Sequence, residues 1–151
     1  MIVVADTTPL LYLIVIECEH VLPALYGRVV APSAVMSELT HVRTPELVRR
    51  WAASSPAWLQ VEALRRHIVP SLLLGPGESE AIALAEELHA DALLIDDRDG
   101  RREAVRRHLP VLGTLRVLAD AAEEKLIELP NAVDRLRQTS FRASEELYEW
   151  L

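Results

Sequence analysis

Two short apolar segments of this 151-residue chain each end in acidic residues. The segment 2–5 (Ile-Val-Val-Ala) runs into Asp6, and the segment 92–95 (Ala-Leu-Leu-Ile) runs into Asp96 and Asp97. The carboxyl ends of buried strands are where open α/β sheets bind ligands. Two such ends on neighbouring strands would bring like charges together, which is costly unless a cation or a proton intervenes. The recurrence predicts a divalent-metal site.

Helical periodicity selects two further acidic residues. Glu78 lies one turn before Ile82 and shares the inward-facing apolar stripe of its helix, whereas Glu80 is expected to point largely away. Glu38 similarly flanks the apolar stripe of a shorter helix. Taken alone, Glu78 is more simply interpreted as an acid that complements the helix dipole at the N-terminal end, and Glu38 as an acid on a solvated helix face.

The selected residues share one donor chemistry, since all of them offer carboxylate oxygen. Such ligands suit Mg²⁺ or Mn²⁺ and disfavour zinc, which prefers His and Cys. None of the five histidines lies in these motifs, and the single Cys18 is expected to be a small core residue. The predicted ligand set consists of Asp6, Glu38, Glu78, Asp96 and Asp97.

The arginines that follow the second acidic motif allow two interpretations. As bidentate partners they could hold the phosphate groups of a ligand. As a solvated helix face they would instead pair with acids such as Glu103. Thr7 or Thr8 could also hydrogen-bond a phosphate or a water, although helix capping is the expected role of Thr8. The arginines concerned are Arg98, Arg101, Arg102, Arg106 and Arg107.

Composition limits the classes of protein to which this chain can belong. Half of the residues are hydrophobic, so residues 1–151 are expected to form one domain with a full core. The formal net charge of −7 argues against a broad nucleic-acid surface, and seven aromatic residues are too few for a base-stacking platform. The apolar stretch 1–16 is interrupted at 6–9, so no membrane segment is expected. One cysteine fits a reducing, cytoplasmic setting.

Predicted strands alternate with predicted helices along the chain. Strands are expected at 2–5, 28–31, 58–61, 92–95 and 111–112. Helices are expected after residue 8 and at 33–39, 45–53, 78–89, 100–108, 114–124, 131–138 and 144–151. Thr8 is the expected N-cap of the first helix, Pro32–Ser33 is expected to open the second, and Thr114 is expected to cap the helix 114–124. This alternation predicts an α/β fold in three layers, an α/β/α sandwich with a central, mostly parallel sheet.

In order and at this spacing, the motifs resemble those of the PIN-domain nucleases. The resemblance is to the small prokaryotic branch that includes VapC-type toxin ribonucleases of toxin–antitoxin pairs, and it spans nearly the whole chain. Its most specific parts are the Gly-Glu-x-Glu-Ala and Leu-Ile-Asp-Asp-Arg sequences. The matching segments are 4–10, 32–39, 75–82, 93–98, 111–114 and 141–151.

The resemblance implies a Mg²⁺- or Mn²⁺-dependent endoribonuclease that hydrolyses single-stranded RNA. It implies that Asp6, Glu38 and Glu78 are acidic residues of the metal site, and Asp97 matches the fourth acid of the family pattern. Asp96 and Asp99 are neighbours that could share or replace the role of Asp97. A catalytically silent binding or scaffold module with the same fold is the alternative.

The resemblance also implies partners. PIN toxins commonly dimerise and are held inactive by a small antitoxin, so a homodimer and such a partner are both expected. The segment 141–151 carries several large apolar groups at the chain terminus. Because termini fray unless they are tied down, this segment is expected to dock on its own domain, a second subunit or a separate protein.

Overall fold

All five strands of the sheet run parallel, in the order β3-β2-β1-β4-β5. They belong to a computed structural model that describes residues 1–69, 71–143 and 148–149. Central β1 pairs with β2 on one side and with β4 on the other, so the strand order reverses between β1 and β4. The strands are β1 (Ile2–Ala5), β2 (Arg28–Pro32), β3 (Leu59–Glu62), β4 (Ala92–Leu94) and β5 (Val111–Leu112).

Helices join the strands and cover the sheet on both sides. Some of them bury one apolar stripe, whereas others are apolar on nearly every side. The described helices are α1 (Thr7–Val15), α2 (Val21–Tyr26), α3 (Ser33–Leu39), α4 (Glu46–Ala53), α5 (Pro76–Glu87), α6 (Arg98–Arg106), α7 (Thr114–Glu123) and α8 (Leu129–Arg137).

The alternation of side chains along β1 divides the core into two clusters. Val3 and Ala5 are buried with residues of α1, α2, α3, α4, α7 and α8. Val4 faces the other way and is buried with residues of α5 and α6. Successive residues of a strand point to opposite faces, so a strand covered on both sides reads as a continuous apolar run. The predicted three-layer α/β/α sandwich is confirmed.

The strand register places the ends of β1 and β4 side by side. Ala5 is aligned with Leu94, and the backbone N–H of Asp6 donates to the Leu94 carbonyl at 2.9 Å. A reversal of strand order opens a crevice at the carboxyl ends of the strands. The acidic residues that follow β1 and β4 therefore lie at this crevice.

Two predicted helix caps are wrong. Helix α1 begins at Thr7, one residue before the expected cap Thr8, and Asp6 takes the N-cap position. Helix α7 begins at Thr114 itself, after Gly113, so Thr114 is not its cap. In both cases the residue directly before the threonines, Asp6 or Gly113, takes the extended N-cap position, so each helix begins earlier than the sequence predicted.

Other differences concern the less periodic parts of the chain. Helix α2 was not predicted, because its six residues span less than two turns. The predicted helix 144–151 lies outside the described residues apart from 148–149. Phe141 packs edge-to-face on Tyr12 with ring centroids 5.1 Å apart, so the start of the closing segment docks on its own domain. No helix in the described parts of the chain is long and apolar enough to cross a membrane.

Candidate metal centre

Asp6 is the most deeply buried acid of the predicted set. The residue is 1% exposed, and its Oδ1 is buried without a hydrogen-bond partner among the described residues. Burial is the main reason why the pKa of Asp6 rises to about 7, and the charges of Glu78, Glu38 and Asp96 raise the pKa further. The backbone N–H of Thr7 opposes that rise. A buried, unpaired oxygen among other carboxylates is costly unless a proton or a cation joins it.

Glu38 is held between two other segments of the crevice. The Thr7 hydroxyl donates to Oε2 of Glu38, and the Gly77 backbone N–H donates to Oε1 at 3.1 Å. Gly77 has no room for a side chain, because an added Cβ would lie 2.5 Å from Oε2 of Glu38. Glu38 thereby ties the start of α1 and the first turn of α5 to α3.

Glu78 lies in the first turn of α5 and turns back over the start of the helix. Its Oε2 accepts from the Gly75 N–H at 3.3 Å, as in one half of a capping box. Burial raises the pKa of Glu78, and the charges of Asp97, Glu38 and Asp99 raise the pKa further, against the Gly75 hydrogen bond. Glu78 therefore lies within the electrostatic field of these three acids.

Asp96 is held by the residue that follows β5. The Thr114 N–H donates to Oδ1 at 2.8 Å, and the Thr114 hydroxyl donates to Oδ2 at 2.6 Å. Burial raises the pKa of Asp96, although these two hydrogen bonds and the charge of Arg101 oppose the rise. The Arg101 guanidinium stays beside Asp96 because it donates to the Ile95 carbonyl at 3.1 Å.

The two aspartates after β4 serve different parts of the crevice. Asp97 is the N-cap of α6, and its Oδ2 accepts from the Gly100 N–H at 2.8 Å. The charge of Asp97 raises the pKa of Glu78, whereas that of Asp96 raises the pKa of Asp6. Asp99 is exposed in the first turn of α6 and also raises the pKa of Glu78.

The residues present fit a hard divalent cation by their chemistry. Within residues 1–69, 71–143 and 148–149, no three His, Cys, Asp or Glu side chains are close enough together to hold one metal ion. Each predicted ligand other than Asp6 and Asp99 is instead turned to a hydrogen-bond donor of the protein. The Oδ1 of Asp6, unpaired among the described residues, and the raised pKa values of Asp6 and Glu78 nevertheless favour a positive charge here. All the donors are oxygens, which Mg²⁺ and Mn²⁺ accept.

The arginines of α6 divide between the two interpretations. Glu103 pairs with Arg106 at 2.5 Å and with Arg107 at 2.8 Å, as the helix-face interpretation predicted. Arg107 also reaches Glu86 on α5 at 2.6 Å. Arg98 and Arg102 are exposed and form no ion pair with the residues described. These two keep their guanidinium groups available to an anion.

Thr7 and Glu80 have partners that the sequence did not suggest. The Thr7 hydroxyl is donated to Glu38, not left open for a phosphate. Glu80 does not contribute to the raised pKa of Asp6 or Glu78, which agrees with its predicted orientation away from them. It does not point into solvent, however, because it accepts from the Ala34 N–H at the start of α3 at 3.1 Å.

Two residues of the crevice were missed as site residues in the sequence. Thr114 follows the end of β5, just as Asp6 and Asp96 follow the ends of β1 and β4. Because open α/β sheets bind ligands at the carboxyl ends of their strands, the same argument predicts Thr114 as a site residue. It was interpreted as a helix cap because threonine is common there. In the sequence, Gly77 is only the second glycine of a Gly-Pro-Gly run, which is typical of a break before a helix. Its close approach to Glu38 depends on how α3 packs on α5, which no local sequence pattern predicts.

Comparison with known proteins identifies the family. A family model described as DUF3368, PIN domain, matches residues 2–151, and the chain therefore belongs to the PIN-domain family. PIN domains are generally nucleases and typically use divalent metal ions. Among solved structures, the chain is similar to a PilT N-terminus domain protein from the hyperthermophilic archaeon Sulfolobus solfataricus P2. The TM-score is 0.59 at 20% identity, over 82% of this chain and 95% of the other. No curated protein matches significantly.

Proposed function

We propose that this PIN domain is a Mg²⁺- or Mn²⁺-dependent endoribonuclease that hydrolyses phosphodiester bonds of single-stranded RNA. The observation that carries the proposal is Asp6, whose buried Oδ1 has no hydrogen-bond partner in the described part of the chain and whose pKa is raised to about 7 by burial and by other acids. Several carboxylates close together at a sheet crevice favour the binding of a cation, and a divalent cation supports the hydrolysis of phosphodiesters.

The acidic side chains have different expected roles according to their positions. The residues that would hold the ion are Asp6, Glu78, Asp96 and Asp97, with Asp99 at the rim. The bound ion would supply a water of lowered pKa and would polarise the phosphate. Because the pKa of metal-free Asp6 lies near neutrality, the ion would displace a proton from part of the Asp6 carboxylates at neutral pH.

Two further groups of residues support this site from outside the ligand set. Thr114 and Arg101 keep Asp96 in place. The exposed guanidinium groups of Arg98 and Arg102 can hold the RNA backbone next to the acids.

The test is cleavage of a labelled single-stranded RNA with Mn²⁺, with Mg²⁺ and with EDTA. Asp6→Asn and Glu78→Gln should abolish cleavage while leaving the fold intact, because each removes a charge at nearly constant shape. Glu80→Gln is the matched control, since it lies on the same helix and its amide oxygen can still accept from Ala34. If Glu80→Gln were as damaging as Glu78→Gln, the assignment of Glu78 to the site would be wrong.

A catalytically silent binding or scaffold module is the second candidate. It is favoured by one observation: in the described part of the chain no three potential ligands converge on one point. The same experiment separates the two candidates. A purified protein that binds RNA but shows no Mn²⁺-dependent cleavage supports the silent module and excludes the nuclease.

We further propose that the protein acts as a VapC-type toxin, as a homodimer that a small antitoxin keeps inactive. An antitoxin arginine that reaches the carboxylates around Asp6 would compete with the metal ion by charge pairing. Co-expression with the neighbouring reading frame tests this partner. Products that fail to co-purify, and a protein that does not slow growth when expressed alone, would argue against the toxin role.

A further inference from the structure

An open pocket of about 500 Å³ adjoins the metal centre, at α6, the end of β5 and the start of α7. Asp96 forms part of its wall, so the pocket shares one acid with the predicted ligand set. The segment 141–143, which follows α8, forms another part of the wall. A ligand bound in this pocket would therefore lie directly beside the metal centre.

The charged residues of this pocket are mostly arginines. Arg101, Arg116 and Arg142 line it, and Asp96 is the one acid among its described lining residues. Arg116 is paired with Asp120 at 2.9 Å, and Arg101 lies beside Asp96, so both of these arginines already face an acid. Arg142 is exposed and forms no hydrogen bond or ion pair with the residues that the structure describes. The pocket therefore has one arginine whose charge no described acid offsets.

Gly113 allows the Arg101 guanidinium and the Asp96 carboxylate to lie over the same point of the backbone. A Cβ on Gly113 would lie 2.9 Å from Nη1 of Arg101 and 3.0 Å from Oδ1 of Asp96, so a side chain there would displace both groups. Among the described residues, only the Ile95 carbonyl accepts an N–H of Arg101, at 3.1 Å. A guanidinium has five N–H donors, so most of those of Arg101 remain for a ligand.

The segment that carries Arg142 is fixed to the rest of the domain. Phe141 packs edge-to-face on Tyr12, and the hydroxyls of Tyr12 and Ser140 are hydrogen-bonded at 2.8 Å. The Phe141 N–H donates to the Thr139 hydroxyl at 3.1 Å. These contacts come directly before Arg142 in the chain, so they place its backbone at the pocket while its side chain stays exposed.

This arrangement favours a ligand that is negatively charged and accepts hydrogen bonds. The Asp96 carboxylate is already held by the N–H and the hydroxyl of Thr114 and faces Arg101, so the one acid of the pocket has its own partners. The planar guanidinium of an arginine matches the oxygens of a phosphate group. Because the pocket adjoins the site proposed for phosphodiester cleavage, the fitting anion is a phosphate of the RNA strand itself.

We propose that this pocket binds a backbone phosphate of the RNA strand next to the bond that is cleaved, with Arg142 and Arg101 as the residues that hold it. The inference rests on the proposed ribonuclease function, because it takes RNA as the ligand. It makes the start of the closing segment a part of the substrate site, and it makes Arg142 a residue that positions the strand for the acids after β1 and β4.

The experiment measures binding of a fluorescent single-stranded RNA hexamer at several NaCl concentrations, in EDTA so that no metal-dependent cleavage occurs. Arg142→Gln should weaken binding severalfold and lower the slope of log Kd against log salt by about 0.7, the share of one phosphate contact on a single strand. Arg142→Lys keeps the charge and should keep the slope. Arg50→Gln is the matched control, because it removes the same charge from α4, outside the pocket, and it should change neither quantity.

Three results for Arg142→Gln would overturn the proposal. Unchanged affinity and slope would mean that Arg142 contacts no phosphate, and losses equal to those of Arg50→Gln would mean that only the net charge matters. Tighter binding would mean that Arg142 blocks the crevice. The absence of measurable RNA binding to the unaltered protein would overturn the proposal as well.

A second variant tests Arg101 without changing the net charge of the protein. Gly113→Ala displaces the Arg101 guanidinium and should also weaken RNA binding. Circular dichroism checks that each variant is folded. Unchanged binding by a folded Gly113→Ala protein would contradict the assignment of Arg101 to the phosphate.

Failure of this inference can be told from failure of the nuclease function. If Arg142→Gln lowers both affinity and slope, but Mn²⁺ supports no cleavage by the unaltered protein, the phosphate site stands and the nuclease function falls. If RNA is cleaved but Arg142→Gln binds it like the unaltered protein at every salt concentration, the phosphate site falls and the nuclease function stands.

Discussion

Thr114 holds both carboxylate oxygens of Asp96, with its backbone N–H on Oδ1 at 2.8 Å and its hydroxyl on Oδ2 at 2.6 Å. The two residues come from the ends of neighbouring strands β4 and β5, so the contact fixes the Asp96 carboxylate relative to the sheet. Each carboxylate oxygen can accept more than one hydrogen bond or metal contact, so this support leaves lone pairs of Asp96 for another partner.

Replacement of Thr114 by Val should destabilise the protein by about 1–3 kcal/mol, because it leaves a largely buried carboxylate with one donor fewer. Thr114→Ser keeps the hydroxyl and should lose much less. Urea unfolding of the three proteins measures the difference. A larger loss in Thr114→Ser than in Thr114→Val would mean that the Thr114 methyl group, and not its hydroxyl, carries the effect.

Gly77→Ala should impair the site more than it impairs the fold. The new Cβ would lie 2.5 Å and 2.8 Å from the Glu38 carboxylate oxygens, so the end of that flexible side chain must move. The free energy of unfolding should change by only about 1 kcal/mol, since alanine also favours the helix. Mn²⁺ binding and RNA cleavage should fall. Gly75→Ala is the matched control, because no atom of the residues that the structure describes lies within 4 Å of a Cβ there, and it should leave both unchanged.

The stability of the metal-free protein should decline as the pH rises from about 4 to about 7. The pKa of Asp6 is raised from 3.8 to about 7, so over this interval the folded state keeps a proton that the unfolded state loses. The free energy of unfolding falls with pH wherever the folded state binds more protons, here by on the order of 4 kcal/mol for this one group. In Asp6→Asn the decline should be clearly smaller. Thermal unfolding in EDTA at several pH values measures it, and identical profiles would show that Asp6 titrates normally.

Mn²⁺ or Mg²⁺ should raise the melting temperature at pH 7.5. An ion that binds only the native state stabilises it by about 2.7 kcal/mol at a hundred times its Kd, and here it also relieves repulsion between carboxylates. Asp6→Asn should lose most of the increase, whereas Glu80→Gln should keep it. Calorimetric titration without saturable Mn²⁺ binding to the unaltered protein would count decisively against the metal site.

In solution the protein should be a homodimer at micromolar concentration. The expectation comes from the family resemblance and from the apolar residues of the closing segment 141–151. Light scattering gives the mass directly. A clean monomer mass over the whole concentration range would exclude the dimer.

The parts of the site that could be predicted from the sequence are those that depend on local pattern. Asp6 and Asp96 follow apolar runs of strand length, and helical phase separates Glu78 from Glu80 over two residues. The partner of each acid was not predictable in this way. The hydrogen bonds from Thr7 and Gly77 to Glu38, and from Thr114 to Asp96, join segments 18 to 39 residues apart and depend on how the helices pack.

The strand order also divides the molecule along its sequence. The first half of the chain builds β1, β2 and β3, the second half adds β4 and β5, and the two halves meet where β1 pairs with β4. Asp6 and Glu38 belong to the first half, whereas Glu78 and the aspartates after β4 belong to the second. Neither half carries the whole set, so a nascent chain cannot assemble the site until its second half has joined the sheet. A bound cation would then hold the two halves together where β1 pairs with β4.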